Sequence, residues 1–362
     1  MQKNIRDKAK NIRNKAGIIT DQKFLRSAFG RKYLPYIFAR LKGRKGPPLG
    51  LSVGVLRKHM SISDQMRLLP KNSIVIASYF TLHESRNEKL PYCKKIKLVC
   101  SPFNHNSKSH KKKVKHISLC ESDMVDQCWV NARKYKGRKK YDMLIITEMS
   151  KKGLRCKGVQ MLKFLPDIEK EFGFKVCIMD MAKKSLRKRD RASPSLGEYL
   201  RDIASIVKHH KKRKLMRPLP NILNQKQMNV LMQSSRCLLC GNTQDASPKT
   251  ITEALIRGIP VILNKNIFGG RKYIKENNGA LFDGPNNVEQ LYENYDFYKE
   301  NLFNAIEKVF SNPIVREDII HGYYDNWGLK KTSEKLAYYI NKAWGAKIES
   351  AFYPQFKSHF KK

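Results

Sequence analysis

Two short apolar runs, Arg236-Cys-Leu-Leu-Cys240 and Val261-Ile-Leu263, bracket one helical stretch whose two ends are both marked. The first run stops at Gly241-Asn242, a loop signal. Ser247-Pro248 then supplies a cap and a first turn, Thr250–Arg257 carries the helix, and Gly258 with Pro260 ends it. This strand–loop–helix–strand order suits buried strands of a parallel sheet with helices laid against it. In open α/β sheets ligands bind outside the carboxyl ends of the strands, where Gly241–Pro248 and the helix N-terminus fall.

The residue types in that loop and helix suit a sugar and its phosphates. Asp245 stands in the loop, and Glu253, eight residues on, lies within the first two helical turns. A carboxylate accepts hydrogen bonds from vicinal hydroxyls, and backbone N–H groups at a helix start suit a pyrophosphate. Upstream, Tyr141-Asp-Met-Leu-Ile-Ile-Thr147 reads as another buried strand, and it leads to Lys151 and Lys157-Gly158. Taken singly, two acids on a polar helix are usually a solvated face, and Gly258-Ile-Pro-Val261 is an ordinary helix stop before a strand. Their occurrence together with Lys157-Gly158 after a buried strand favours a site.

These motifs resemble the carboxyl-terminal half of the retaining family-4 glycosyltransferases, which have the two-domain GT-B fold. The signature is an acid, seven intervening residues, Glu-Ala and a Gly-x-Pro-Val strand entry, matched here by Asp245, Glu253-Ala254 and Gly258–Val261. A second motif is a basic pair six residues apart whose Lys precedes Gly, matched by Lys151 and Lys157-Gly158. The family usually has Glu at the position of Asp245 and Arg at that of Lys151. Helix Val159–Phe172, strand Lys175–Met179, the Leu219-Pro220 turn and helix Gln225–Met232 follow in the family's order, so the resemblance covers roughly residues 140–345. Phe268–Tyr273 and Asn278–Phe282 occupy the places of a Gly-containing loop and a short final strand.

The resemblance implies an α/β protein of GT-B type, with two Rossmann-like domains facing a cleft. It implies transfer of a hexose-type residue from a nucleotide diphosphate sugar to an acceptor hydroxyl on a glycan, lipid or protein, with retention. Lys151 and Lys157 would neutralise the diphosphate leaving group, Asp245 would hold the transferred sugar and Glu253 the ribose. Ser247, Pro248, Lys249, Thr250, Gly158 and Leu219 complete the expected donor site. No cofactor and no metal is expected, and the sequence has no Asp-x-Asp motif. Family members often place a His after a strand like Lys95–Cys100, and His105 is the candidate, with His83 and His110 as competitors.

A chain of 362 residues exceeds the roughly 250–300 at which single cores stop growing, which suggests two domains. The expected division is a basic amphipathic extension over 1–45, an amino-terminal α/β domain over 46–140, a nucleotide-sugar-binding domain over 141–345 and a basic tail over 346–362. Leu51–Leu56, Ser73–Ser78, Lys95–Cys100 and His116–Cys120 have strand character in the first domain, and Asp123–Arg133 reads as a helix. Gly46-Pro-Pro-Leu-Gly50 is either an acceptor loop or a plain linker. The eight cysteines do not form a disulfide framework, and Cys237-x-x-Cys240 lacks the second pair that a zinc site needs. No apolar run reaches the roughly 18–20 residues of a membrane span and MQKNIRDKAK lacks a signal-peptide core, so a cytoplasmic address is expected.

Charge opens the competing readings. With 73 basic and 31 acidic residues the net charge is +42, much of it carried by residues 1–45, Lys108–Lys115 and Lys183–Arg217. The first block suits peripheral attachment to an anionic membrane surface, or equally a solvated extension. A nucleic-acid-binding protein is the alternative of another class, opposed by dispersed charge and by the lack of a zinc-finger, RNA-recognition or helix-turn-helix pattern. An inactive glycosyltransferase relative is the third, suggested by Lys151 and Asp245.

Overall fold

The protein is described from a computed structural model, which covers residues 18–20, 37–41, 49–50, 74–78, 96–101, 115–125, 137–344 and 348–352, except 149–156, 182–193, 214–215, 219–224, 246–247 and 312–313. It divides into two compact units, one of residues 1–124 with 326–362 and the other of 125–325.

The first unit holds β1 (Ile18–Thr20), β2 (Ile37–Leu41), β3 (Leu49–Gly50), β4 (Ile74–Ser78), β5 (Ile96–Ser101) and β6 (Lys115–Ser118). A parallel sheet runs β1-β4-β5-β6. Three of the four strands expected between residues 46 and 140 occur as β4, β5 and β6, while Leu51–Leu56 lies outside the described residues. Within the basic stretch 1–45, β1 pairs with β4 and β2 with β3.

The second unit is built on a six-stranded parallel sheet. The chain enters at β7 (Tyr141–Thr147), passes through a 3-10 turn (Val159–Phe164) and α1 (Leu165–Phe172), and continues to β8 (Val176–Asp180). It then runs through α2 (Pro194–Lys212), β9 (Met216–Pro218), α3 (Gln225–Gln233), β10 (Ser235–Cys240), α4 (Lys249–Leu255), β11 (Val261–Asn264) and β12 (Gly279–Phe282). Helices α5 (Val288–Glu293), α6 (Tyr295–Ser311) and α7 (Arg316–Tyr324) follow. The spatial order is β12-β11-β10-β7-β8-β9, the doubly wound pattern: the chain starts mid-sheet, builds to one edge, then returns beside β7 and builds to the other.

Both faces of this sheet are covered, which is why its inner strands are apolar throughout instead of alternating. Val261–Asn264 is buried at every position, as is Val176–Met179. On one face Met143, Ile145, Ile178, Leu239 and Ile262 pack with Leu165 and Ile168 of α1, Tyr199, Ile203 and Ile206 of α2 and Leu302 and Ile306 of α6. The spacing of Tyr199, Ile203, Ile206 and the buried His210 is that of one helix face, so the block Lys183–Arg217, read from sequence for its charge alone, contributes a core helix. The expected helix Val159–Phe172 begins instead as a 3-10 turn, because Gly158 enters it in the left-handed region and Pro166 restarts the α-helix at its own first turn.

The chain then returns to the first unit. There α8 (Gly328–Trp344) packs with β2, β5 and the 3-10 turn Glu121–Met124, and β13 (Ile348–Phe352) pairs antiparallel with β2. Thr332 donates to the carbonyl of the buried Asp123 at 2.7 Å, and the Asp123 carboxylate accepts from the Cys120 N–H at 2.7 Å. Among the described residues no helix is long and apolar enough to cross a membrane.

Cys237 and Cys240 lie on opposite faces of β10, both free and fully buried. Burial pushes the Cys240 thiol up to about 12 and raises that of Cys237 as well. Alkylation needs thiolate, so at about pH 8 iodoacetamide is expected to leave both unmodified in the native protein and to label both in urea. Peptide mass mapping checks this, and native labelling of either thiol would show that a sheet face is open.

Candidate functional site

The order of strands reverses between β7 and β10: after β7 the chain builds toward β9, and after β10 toward β12. A crevice forms outside their carboxyl ends wherever this happens. Two glycines let the loops leaving the strands meet there. Gly158 has φ +69°, and a Cβ on it would stand 2.6 Å from the backbone carbon of Gly241. A Cβ on Gly241 would stand 1.9 Å from Cγ of Met161. Sequence showed both glycines, but not that they are apposed.

This contact sets Lys157 beside Asp245. The hydroxyl of Thr147, the last residue of β7, donates to the Lys157 carbonyl at 2.9 Å and fixes the backbone before Gly158. Tyr199 donates to the Val159 carbonyl just beyond it. Lys157 Nζ hydrogen-bonds Asp245 Oδ2 in an ion pair whose side chains are 29% and 15% exposed. Asn242 Nδ2 donates to the same carboxylate oxygen at 3.2 Å, so Asp245 is held from two sides.

The loop after β11 fastens the loop after β10. Phe268 N–H donates to the Thr243 carbonyl and Gly269 N–H to that of Asp245, each at 3.0 Å. Gly270, at φ +99°, packs on α4: a Cβ there would stand 2.8 Å from Pro248 Cγ and 2.9 Å from Ile251 Cδ1. Pro248 is itself the residue before α4, and Ser247, expected to cap the helix, lies outside the described residues. Lys249 and Thr250 are half-buried in the first turn, and Glu253 follows on the same helix, its side chain 17% exposed.

Glu253 is tied to a residue that sequence reasoning passed over. Arg257 is completely buried. Its Nη1 donates to the Glu253 carbonyl at 2.6 Å and lies 3.9 Å from Glu253 Oε2, and its Nε donates to Asn229 Oδ1 at 3.1 Å. The available signal was the four-residue spacing from Glu253 to Arg257, which puts acid and base on one helix face.

Of the expected site residues, the structure brings Lys157, Gly158 and Asp245 together, puts Pro248 just before the helix that follows and sets Lys249, Thr250 and Glu253 on it. Lys151, His105, Ser247 and Leu219 lie outside the described residues. Among the described residues no group of three or more His, Cys, Asp or Glu side chains is arranged to hold a metal ion.

No protein-family model matches the chain, and no curated protein does. Solved structures do. The pneumococcal O-GlcNAc transferase GtfA, solved in complex with UDP and GlcNAc, superposes with a TM-score of 0.52 at 14% identity, covering 78% of this chain and 54% of that one. At so low an identity this is a likeness of fold. The fold is of GT-B type. Two other GT-B neighbours are a glycosyltransferase from Rickettsia africae (TM-score 0.47, 14% identity, 75% of this chain and 71% of that one) and HepE from Anabaena, solved with UDP and glucose (0.47, 10%, 77% and 76%). This chain thus spans about half the length of GtfA and about three quarters of HepE.

The glycine contact gives a direct test of how the site is held. Gly158→Ala places a methyl group against backbone in a strained conformation and is expected to cost about 1–3 kcal/mol. Gly173→Ala is the control, since Gly173 has φ +63° but nothing within 4 Å of its added Cβ. The urea midpoint of the first variant should fall below that of the second; equal midpoints would mean that only the backbone angle matters.

Proposed function

We propose that the protein transfers a sugar from a nucleotide diphosphate sugar to an acceptor hydroxyl, as a retaining enzyme of the family-4 kind. The observation that carries this reading is the Lys157–Asp245 pair on the Gly158–Gly241 contact, at the switch point of a doubly wound sheet. A sugar diphosphate placed there meets an ammonium and a carboxylate on adjacent sides. The phosphates suit the first, and a sugar hydroxyl suits the second.

In this reading Lys157 stabilises negative charge that grows on the diphosphate as the glycosidic bond breaks, and Lys151 adds a second ammonium. Preorganised charge of this kind is commonly worth on the order of 10²–10³ in kcat per group. Lys157 meets the preorganisation requirement, because Thr147 and Gly158 fix its backbone and Asp245 its Nζ. Asp245, oriented by Asn242, accepts from the transferred sugar, and Glu253 accepts from the ribose. Lys249 and Thr250, in the first turn of α4, belong to the donor site in this reading, together with Ser247 and Leu219. GtfA was solved with UDP and GlcNAc, which makes uridine nucleotides the first donors to try.

Thermal shift across a panel of nucleotide sugars and nucleoside diphosphates tests the reading. A ligand at 100 times its dissociation constant should stabilise the protein by about 2.7 kcal/mol, a rise of several degrees. Lys157→Ala should abolish most of that rise and lower turnover on the order of 10²-fold. No shift with any donor would overturn the assignment, and binding without turnover on any acceptor would mark an inactive relative.

Because ammonium groups supply the charge for the leaving group, turnover is expected to persist in EDTA. A radiolabelled-sugar transfer assay checks this. Loss of transfer on chelation, restored by a divalent cation, would replace the metal-independent scheme.

A further inference from the structure

Helix α2 carries its charge on the side turned away from the core. Tyr199, Ile203, Ile206 and His210 are its buried face, and the positions furthest round the helix from them are Arg201, Lys208 and Lys212. At 3.6 residues per turn these three fall within about 40° of one another, on a ridge about 16 Å long. Lys211 flanks the ridge, and all four cations are exposed. Ala204 and Ser205, small and also exposed, fill the interval between Arg201 and Lys208.

The acids nearby are engaged elsewhere. Asp202 accepts from Lys163 Nζ and, at 2.8 Å, from the Tyr292 hydroxyl. Glu169 of α1 pairs with Arg213 at 2.9 Å and faces the buried His210 at 3.2 Å. Glu198, the one exposed acid described on α2, stands a turn before Arg201. None of Arg201, Lys208, Lys211 and Lys212 forms an ion pair among the described residues.

Stability of the helix does not account for this ridge. The helix dipole favours cations in the last turn, which covers Lys211 and Lys212 but not Arg201, about three turns earlier. Lys208 and Lys212, four residues apart, repel each other. Charge of one sign held in a row and left unneutralised by the fold is relieved by countercharge from outside.

We propose that this ridge of α2 docks the protein on an anionic membrane surface, with the phosphates of phospholipid headgroups as its partners. The chemistry of the ridge selects them. Lysines predominate, and they meet phosphate as point charges without fixed geometry, which suits mobile headgroups. The ridge has no aromatic ring to stack on bases and no amide to read them, which disfavours a nucleic acid. It has no large apolar side chain either, so contact stays at headgroup level, held by charge and weakened by salt. This surface is distinct from the contact through residues 1–45 that the sequence suggested, and it does not depend on the glycosyltransferase reading.

The test is co-sedimentation of the full chain with vesicles of phosphatidylcholine containing about one-third phosphatidylglycerol. Each basic residue near such a surface is worth on the order of fivefold in partitioning. Changing Arg201, Lys208, Lys211 and Lys212 together to Gln should therefore weaken partitioning by about tenfold or more. A control with Arg138, Lys140, Lys275 and Lys330 changed to Gln removes the same charge from exposed positions off α2 and should lose about threefold or less. If the ridge variant does not fold, acetylation of the wild type read by mass spectrometry takes its place. Vesicles should then lower labelling of Lys208, Lys211 and Lys212 by about threefold or more and leave Lys140 and Lys275 unchanged.

Equal losses in the two variants, absence of protection at the three lysines, or a wild type that ignores the vesicles would overturn the docking role. A ridge variant that binds vesicles as the control does but loses affinity for a DNA duplex would also overturn it, and would assign the ridge to nucleic acid.

Discussion

Backbone-to-backbone contact between Gly158 and Gly241 is the constraint from which the candidate site follows. Strands β7 and β10 are neighbours in the sheet but lie nearly a hundred residues apart in the chain. Without side chains at these two positions the loops close on each other at the strand ends. Lys157 and Asp245, the residues beside the contact, then come within reach of one another. The Lys157–Asp245 pair is downstream of that closeness.

How legible this was in the sequence depended on whether a residue's role is local. Strands β7, β8, β10 and β11 stood out because a strand covered on both faces must be apolar along its length, as Val261–Asn264 is. The helix start near Pro248 and its stop at Gly258 were equally plain, since both are written in backbone preferences. Helix α2 was obscured: its buried stripe of Tyr199, Ile203, Ile206 and His210 sits among so many cations that composition hid the period. Strands of two or three residues, such as β1 and β3, carry too few positions for any period to show.

Arg257 illustrates a different limit. The four-residue spacing from Glu253 marks a pair on one helix face but does not tell a sealed arginine from one that faces water, and in a chain with 73 basic residues the prior favours water. Its burial is a property of three elements, α3, α4 and the turn into β11, that only the fold assembles. Gly241 was read as a strand end for the same reason, while the Cβ distance of 1.9 Å to Met161 shows it as a point of close packing.

The lacing of the loop after β11 onto the loop after β10 has a consequence for how such a site can diversify. Surface loops ordinarily absorb insertions and deletions with little cost. Here Phe268 and Gly269 are hydrogen-bonded in register with Thr243 and Asp245, and Gly270 is wedged against Pro248 and Ile251. A change in the length of either loop breaks that register and displaces the backbone of Asp245. New ligand preferences at this end of the sheet are therefore open to replacement of side chains, such as the exposed Phe268, and closed to remodelling of the loops that carry them.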